Sequence, residues 1–247
     1  ARNELRRIAE KLGGLNGFEV HKDDGFLYGP LWFKGEIVKV NLETGAAEVI
    51  ASGFKTPAAA NIDPQNRDNV YVVDTGTGGI WSVSLTSKIK KLVASMKPGL
   101  DNLAFDSRGR LFVTSMTDNG VYLVDKQTGA HRTIVEGKLA VPSDLAVTTE
   151  GGKDTVHVAD VFSYRKVDGA NGDVTDVLRV HGETHAYPIG ISVGPNNVLL
   201  TSWFSNTVEK VDRKTGKLTA TLGEFAAPVD AVEFADGTMY VAELASG

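Results

Sequence analysis

Five stretches of this chain are built to one pattern, and a chain that repeats itself in this way has few folds open to it. They read "FLYGPLWFKGEIVKVNLETGAAEVI", "VYVVDTGTGGIWSVSLTSKIKKLV", "LFVTSMTDNGVYLVDKQTGAHRTIV", "VHVADVFSYRKVDGANGDVTDVL" and "VLLTSWFSNTVEKVDRKTGKLTATL". Each holds three runs rich in Val, Ile, Leu and aromatic residues, separated by turn-forming residues. The turns "ETGA", "QTGA" and "KTGK" set Gly where a hairpin needs a residue at positive φ. Another short strand precedes each stretch, and the series "GFEVH", "AANID", "NLAFD", "DLAVT", "GISVG", "AVEFA" has six members. The predicted unit is a four-stranded antiparallel meander with strands a, b, c and d.

Taking the residue just before strand a as a marker gives Asn16, Ala58, Asp101, Ser143, Ile189 and Asp230, with steps of 42, 43, 42, 46 and 41 residues. A four-stranded unit of about 40 to 45 residues is the size of a propeller blade. The expected fold is therefore all-β, a six-bladed β-propeller of four-stranded antiparallel blades, occupying residues 1–247 as a single domain.

The ring is expected to close through its ends. "LRRIAEKLGGLNGFEV" aligns with "IKKLVASMKPGLDNLAF", so residues 5–11, within an N-terminal segment 1–14, read as strand d of a closing blade. Strands a and b of that blade fall in residues 231–247. An amphipathic helix is the competing reading, because Leu5, Ile8, Ala9 and Leu12 share helical spacing. Against a period near 43, the two segments fall short by about ten residues, one strand and its turn. The closing blade is thus expected to lack strand c, and the polypeptide to be incomplete at one or both ends.

Composition excludes several classes of function. The net charge of −5 offers no basic face for nucleic acid or an anionic membrane. No apolar run approaches the roughly 20 residues that span a bilayer. The absence of cysteine rules out disulfides, thiolate catalysis and Cys-bound zinc, and leaves the compartment open. "GTGG" at 76–79 has no helix after it and so cannot form the helix-start cradle used for phosphate. The expected partner is a small molecule and the expected state a monomer.

In such a meander the d-to-a and b-to-c loops emerge on one face, and strand a lines the channel. The markers form one ring there, with Asn102 and Asp144 a step further on. A second ring lies where strand b ends: Asp74, Asp160 and Glu243, with Ser115 and Ser202 in other blades. Trp32-Phe33 and Trp203-Phe204 sit near the same rim. Carboxylates crowded around a narrow channel cannot all ionise cheaply, so their pKa values rise or a cation settles among them. Oxygen donors from Asp and Asn suit a hard ion such as Ca²⁺. The plainer alternative is that Asx residues at such positions bond their own turns.

The blade pattern, with "NGFEVHKDDGFLYGPLWF", "LDNLAFDSRGRLFV" and "YVAELASG", resembles the senescence-marker-protein, gluconolactonase and luciferin-regenerating-enzyme family of six-bladed propellers. NHL-type and virginiamycin-lyase-like propellers share much of this grammar. The resemblance implies a divalent metal, usually calcium, at the channel mouth, and hydrolysis of a lactone or ester there. Carried over to this sequence, it implies metal ligands at Asn16, Asp101 and Asp230, while Ile189 stands where another oxygen donor is expected. The family's glutamate-glycine-proline motif is reduced to the Gly-Pro of "YGPLWF". Asp230 or Asp101 would serve as base, with Asp144 behind them. Trp32, Asp74, Asn102, Asp144, Asp160, Trp203 and Glu243 would contact substrate. A lyase reading rests on His185, in a d-to-a loop beside Glu183, as general acid or base. A third reading is a non-catalytic propeller whose acidic, Trp-bearing rim grips a ligand or protein.

Overall fold

The computed structural model describes residues 5–179 and 187–246. Blade 1 comprises β1 (Glu19–His21), β2 (Phe26–Leu31), β3 (Glu36–Asn41) and β4 (Ala47–Ser52). Blade 2 comprises β5 (Pro57–Ile62), β6 (Asn69–Asp74), β7 (Gly79–Ser84) and β8 (Lys90–Ser95). Blade 3 comprises β9 (Leu100–Phe105), β10 (Leu111–Ser115), β11 (Gly120–Val124) and β12 (His131–Val135). Blade 4 comprises β13 (Asp144–Glu150), β14 (Lys153–Asp160), β15 (Ser163–Asp168) and β16 (Val174–Arg179). Blade 5 comprises β17 (Gly190–Val193), β18 (Asn197–Ser202), β19 (Thr207–Asp212) and β20 (Leu218–Leu222). A last sheet holds only β21 (Pro228–Glu233) and β22 (Met239–Glu243). In every four-stranded sheet the order follows the sequence, each strand antiparallel to the next.

The chain is a β-propeller, but five blades are complete rather than six, and the sixth sheet has two strands. Six apolar clusters hold it together, each shared between neighbouring sheets. Tyr28, Ile37 and Phe54 meet Ala60, Val70 and Val72 between blades 1 and 2. At the other end Val229 and Ala242 of the two-stranded sheet meet Phe18, Val20 and Leu27 of blade 1. Blade 1 thus packs on the last sheet as it does on blade 2. Every fully buried Val or Ile in these seams stabilises by roughly 1.5–3 kcal/mol.

The c-to-d hairpins follow the sequence signal. Asn41, Asp125, Asp168 and Asp212 each accept two backbone amides of their own turn through Oδ1. The Gly that ends each of these turns has φ between 68° and 74°, a region closed to most side chains. The turn glycine also packs on the preceding blade: a Cβ on Gly129 would overlap the carbonyl of Val93 in β8. Gly45 of blade 1 stands in the same way against the carbonyl of Ile8. Residues 5–14 therefore run beside blade 1 where an outer strand would run, yet they form neither strand nor helix. The physical reason is the missing inner neighbour. With no third strand among the described residues, backbone groups there have no ladder to join, and Lys11 bonds the carbonyl of Ser246 instead.

On the face formed by the a-to-b turns, side chains tie successive blades. Asp24 pairs with Arg67, Gln65 with the carbonyl of Arg108, Arg108 with Asp154, and Glu150 with Arg213. Lys22 and Asp236, 2.6 Å apart, join the last sheet to blade 1. Among the described residues no helix is long and apolar enough to cross a membrane.

Candidate functional site

The innermost strands begin with a β-bulge, and the bulge decides which side chains face the axis. In β5, β9 and β21 the register slips at the start of the strand, so one residue has no partner of its own on strand b. The extra residues are Ala58 in blade 2 and Val229 in the last sheet; in blade 3, Asp101 and Asn102 together face Thr114. Bulges re-aim side chains, and a shift of one residue exchanges the two faces of a strand. Matching the registers gives two tiers. The mouth tier is Asn16, Ala58, Asp101, Ser143, Ile189 and Val229. The tier below it is Gly17, Ala59, Asn102, Asp144, Gly190 and Asp230. Asp230 thus belongs with Asn102 and Asp144, one tier below its place in the marker series.

The lower tier is tied into the backbone. Asn102, Asp144 and Asp230 each accept the amide of the following residue at 2.7 Å. Asp144 also takes the amide of Ile191 in blade 5 at 2.7 Å, and Asp230 that of Phe18 in blade 1 at 3.2 Å. Both carboxylates are buried, at 5% and 6% exposure. Glycine allows the crowding: a Cβ on Gly190 would overlap Thr201 and the carbonyl of Val229. Burial raises the pKa of Asp230 to about 7 against the pull of its two amide donors. Burial likewise holds Asp144 well above the usual carboxylate range, and the charge of Asp230 raises it further. Burial thus opposes ionisation of both carboxylates, and ionising Asp230 makes ionising Asp144 harder still. Beneath them lies a cavity of about 460 Å³, lined by Glu19, Asn61, Phe105, Thr148, Ser192 and Val232 and reaching the a-to-b face.

Asp101 is different. It stands in the mouth tier, partly exposed, and makes no hydrogen bond among the described residues. Desolvation alone raises its pKa to about 7. Asn16 accepts the amide of Gly17, and the single hydroxyl hydrogen of Ser143 is shared between the carbonyls of Ala159 at 3.0 Å and Ile189 at 2.9 Å.

The carboxylates that end strand b serve their own loops. Asp74 accepts the amides of Lys55 and Thr56. Asp160 accepts those of Ala140 and Val141 and pairs with Arg165 at 3.1 Å. Glu243 accepts the amide of Ala226 and the hydroxyl of Ser246. Asp74 and Asp160 are 2% and 0% exposed. The structure therefore gives these three the role of loop clamps, the turn chemistry that competes with ligand binding at such positions. Trp32 is half-buried in the b-to-c turn of blade 1. Trp203 is exposed and joins an aromatic run not anticipated from the sequence, Phe162–Tyr187–Phe204–Trp203, with centroid spacings of 5.6–6.0 Å. The b-to-c turns "DVFS" and "SWFS" carried that signal. Val161, at φ 32°, is a strained β-branched residue immediately before Phe162. His185 and Glu183 lie outside the described residues.

The ligand set Asn16, Asp101 and Asp230 does not assemble as one metal cage. The three residues occupy two tiers, both oxygens of Asp230 are taken by backbone amides, and among the described residues no three acidic or histidine side chains converge closely enough to hold an ion. The residues that the resemblance names as ligands are thus divided between two tiers of the axis.

Comparison with known proteins gives a match to one family model, described as the SMP-30/Gluconolactonase/LRE-like region, over residues 9–159, more than half of the chain. Among solved structures, the nidogen/laminin complex contains a similar chain at 16% identity and TM-score 0.71, covering 87% of this chain and 81% of the other. A streptogramin B lyase matches at 12% identity and TM-score 0.66, covering 94% and 91%. Virginiamycin B lyase from Staphylococcus aureus matches at 13% identity and TM-score 0.66, covering 95% and 93%. At these identities the structural likeness concerns the fold.

Proposed function

The chain belongs to the SMP-30/gluconolactonase/LRE-like family, and from that premise we propose that it hydrolyses a small lactone or ester at the channel mouth, with Asp101 as general base. One observation carries the reading: Asp101 is a carboxylate at the mouth with no hydrogen bond among the described residues and a pKa of about 7. A base is most effective when its pKa lies near the working pH. Asp144 and Asp230 are less suited, being buried and bonded to backbone amides.

In the proposed step a water oxygen attacks the carbonyl carbon while Asp101 takes a proton from that water. Collapse of the tetrahedral intermediate breaks the acyl C–O bond. The departing alkoxide takes the proton back from Asp101, leaving a hydroxy acid from a lactone, or an acid and an alcohol from an ester. No step is routed through a metal ion.

The test is a panel of small aliphatic and aryl lactones and esters followed by pH-stat. Asp101→Asn should lower kcat/KM by about 10²-fold or more, in the range expected for loss of a general base, and the wild-type rate should rise with pH through about 7. An unchanged rate in Asp101→Asn would remove Asp101 from the chemistry. Failure to turn over any member of the panel would favour the second reading, a binding propeller. That reading has its own support in the exposed rings of Phe162, Tyr187, Trp203 and Phe204.

A further inference from the structure

The cavity of about 460 Å³ beneath Asp144 and Asp230 is walled by the innermost strands of all six sheets. Pro64 and Ser107, in the a-to-b turns of blades 2 and 3, mark its opening. The lining residues all lie on or beside innermost strands, so the walls owe nothing to the third and fourth strands of any sheet. A volume of this size is in the range of small-molecule sites, about 300–1,000 Å³.

Its charge is one-sided. Glu19, Asp144 and Asp230 line it, and no Lys, Arg or His does. A fourth lining carboxylate, Asp106, is neutralised by Arg108 and Arg110. The other three share one job: Glu19 accepts the amide of Ile62 at 2.6 Å, Asp144 that of Ile191 at 2.7 Å and Asp230 that of Phe18 at 3.2 Å, each in the next sheet around the ring. Beyond those amides Glu19 meets only the imidazole of His21, at 3.0 Å. The rim of the same face is built the other way. Asp63 pairs with Lys126, Asp154 with Arg108, Asp236 with Lys22 and Glu150 with Arg213, at 2.6–2.7 Å. The chain thus supplies cations around the rim and none inside, where an uncompensated charge costs most. Between the carboxylates stand Phe105, Val147, Val193 and Val232, all partly exposed. A bare metal ion would gain nothing from these apolar walls, whereas a cation carrying a short hydrocarbon chain uses both kinds of surface.

We propose that this cavity binds a small primary alkylammonium ion. Its three N–H donors meet the lone pairs that Asp144 and Asp230 keep beyond their amide bonds, and its chain lies against Phe105 and Val232. The site is separate from the ester chemistry proposed at Asp101, and its occupancy is read by binding alone, with no turnover required.

The test titrates the protein with n-butylammonium chloride and with 1-butanol, its neutral counterpart, by calorimetry and by amide NMR. Butylammonium should bind saturably at one site, about tenfold or more tighter than butanol, the scale of a charge-assisted hydrogen bond. It should shift the amides of Phe18, Ile62 and Ile191, which the three carboxylates hold. Asp144→Asn should weaken butylammonium by a similar factor and leave butanol unaffected, and if that variant fails to fold the two ligands still decide the matter. Equal binding of both ligands, or amide shifts confined to residues outside the cavity, would overturn the proposal. So would calcium chloride that shifts the same three amides and excludes butylammonium, since a metal ion would then be the occupant.

Discussion

Replacing Asp101 by Asn should change the pH dependence of stability, and the size of the change follows from the pKa of this one group. A buried-side carboxyl with a pKa of about 7 in the folded protein, against about 3.9 in the unfolded chain, binds its proton more tightly when folded. Its contribution therefore weakens as pH rises from about 4 through 7 and is gone above that. Between pH 5 and pH 8 an unscreened group would lose about 2.5 kcal/mol at 1.36 kcal/mol per pKa unit. Asp101 is partly exposed, and solvent screening reduces this to about 1.3 kcal/mol. An unfolding entropy of about 2.1 cal/mol/K per residue over 247 residues converts that to about 2–3 °C. The melting temperature of Asp101→Asn minus that of wild type should thus be about 2–3 °C more positive at pH 8 than at pH 5, measured by calorimetry. Taking the difference cancels groups common to both proteins. Among these is His157, which burial beside Tyr164 and Thr148 holds near 3 and whose effect has the opposite sign. The same difference at both pH values would show that Asp101 ionises as an ordinary surface carboxylate, and the general-base proposal would lose its footing.

Four further outcomes are expected. Gly129→Ala should destabilise by about 2–3 kcal/mol in urea titration, since a positive-φ penalty adds to overlap with Val93, whereas Gly137→Ala, with open space around it, should lose only about 1 kcal/mol. Asp154→Ala strands Arg108, Arg110 and Thr149 and should lose about 2–3 kcal/mol, while Lys22→Ala, on an exposed partner, should lose under about 0.5 kcal/mol. Asp160→Ala frees the amides of Ala140 and Val141 and should speed exchange at both, at a loss of about 2 kcal/mol. Millimolar calcium should move the melting temperature by less than about 1 °C, because no cage of charged ligands is assembled among the described residues; a large upward shift would contradict the fit argued for this site.

The repeat made most of the fold legible. Alternating runs and "TGA"-type turns located the strands because hairpin chemistry is local and depends on few residues. The site was legible in outline only. Asn102, Asp144 and Asp230 share an axial tier, yet spacing alone assigned Asp230 to the ring of Asp101. The bulge itself is common to β5, β9 and β21, so the difference is a one-residue slip in aligning the last repeat, which strand pairing settles and spacing does not. Asp74, Asp160 and Glu243 were read as a ring because they share a position, but sharing a position does not reveal which oxygen meets which amide. The N-terminal segment showed the opposite difficulty. Its alignment with a fourth strand fits where Ile8 sits, while the absence of a ladder depends on a neighbour that no local pattern can supply.

The tier of Asn102, Asp144 and Asp230 also stitches the ring along its axis. Asp144 reaches the backbone of blade 5 and Asp230 that of blade 1, so a molecule in the cavity of about 460 Å³ that pushed on either carboxylate would pull on a seam between two sheets.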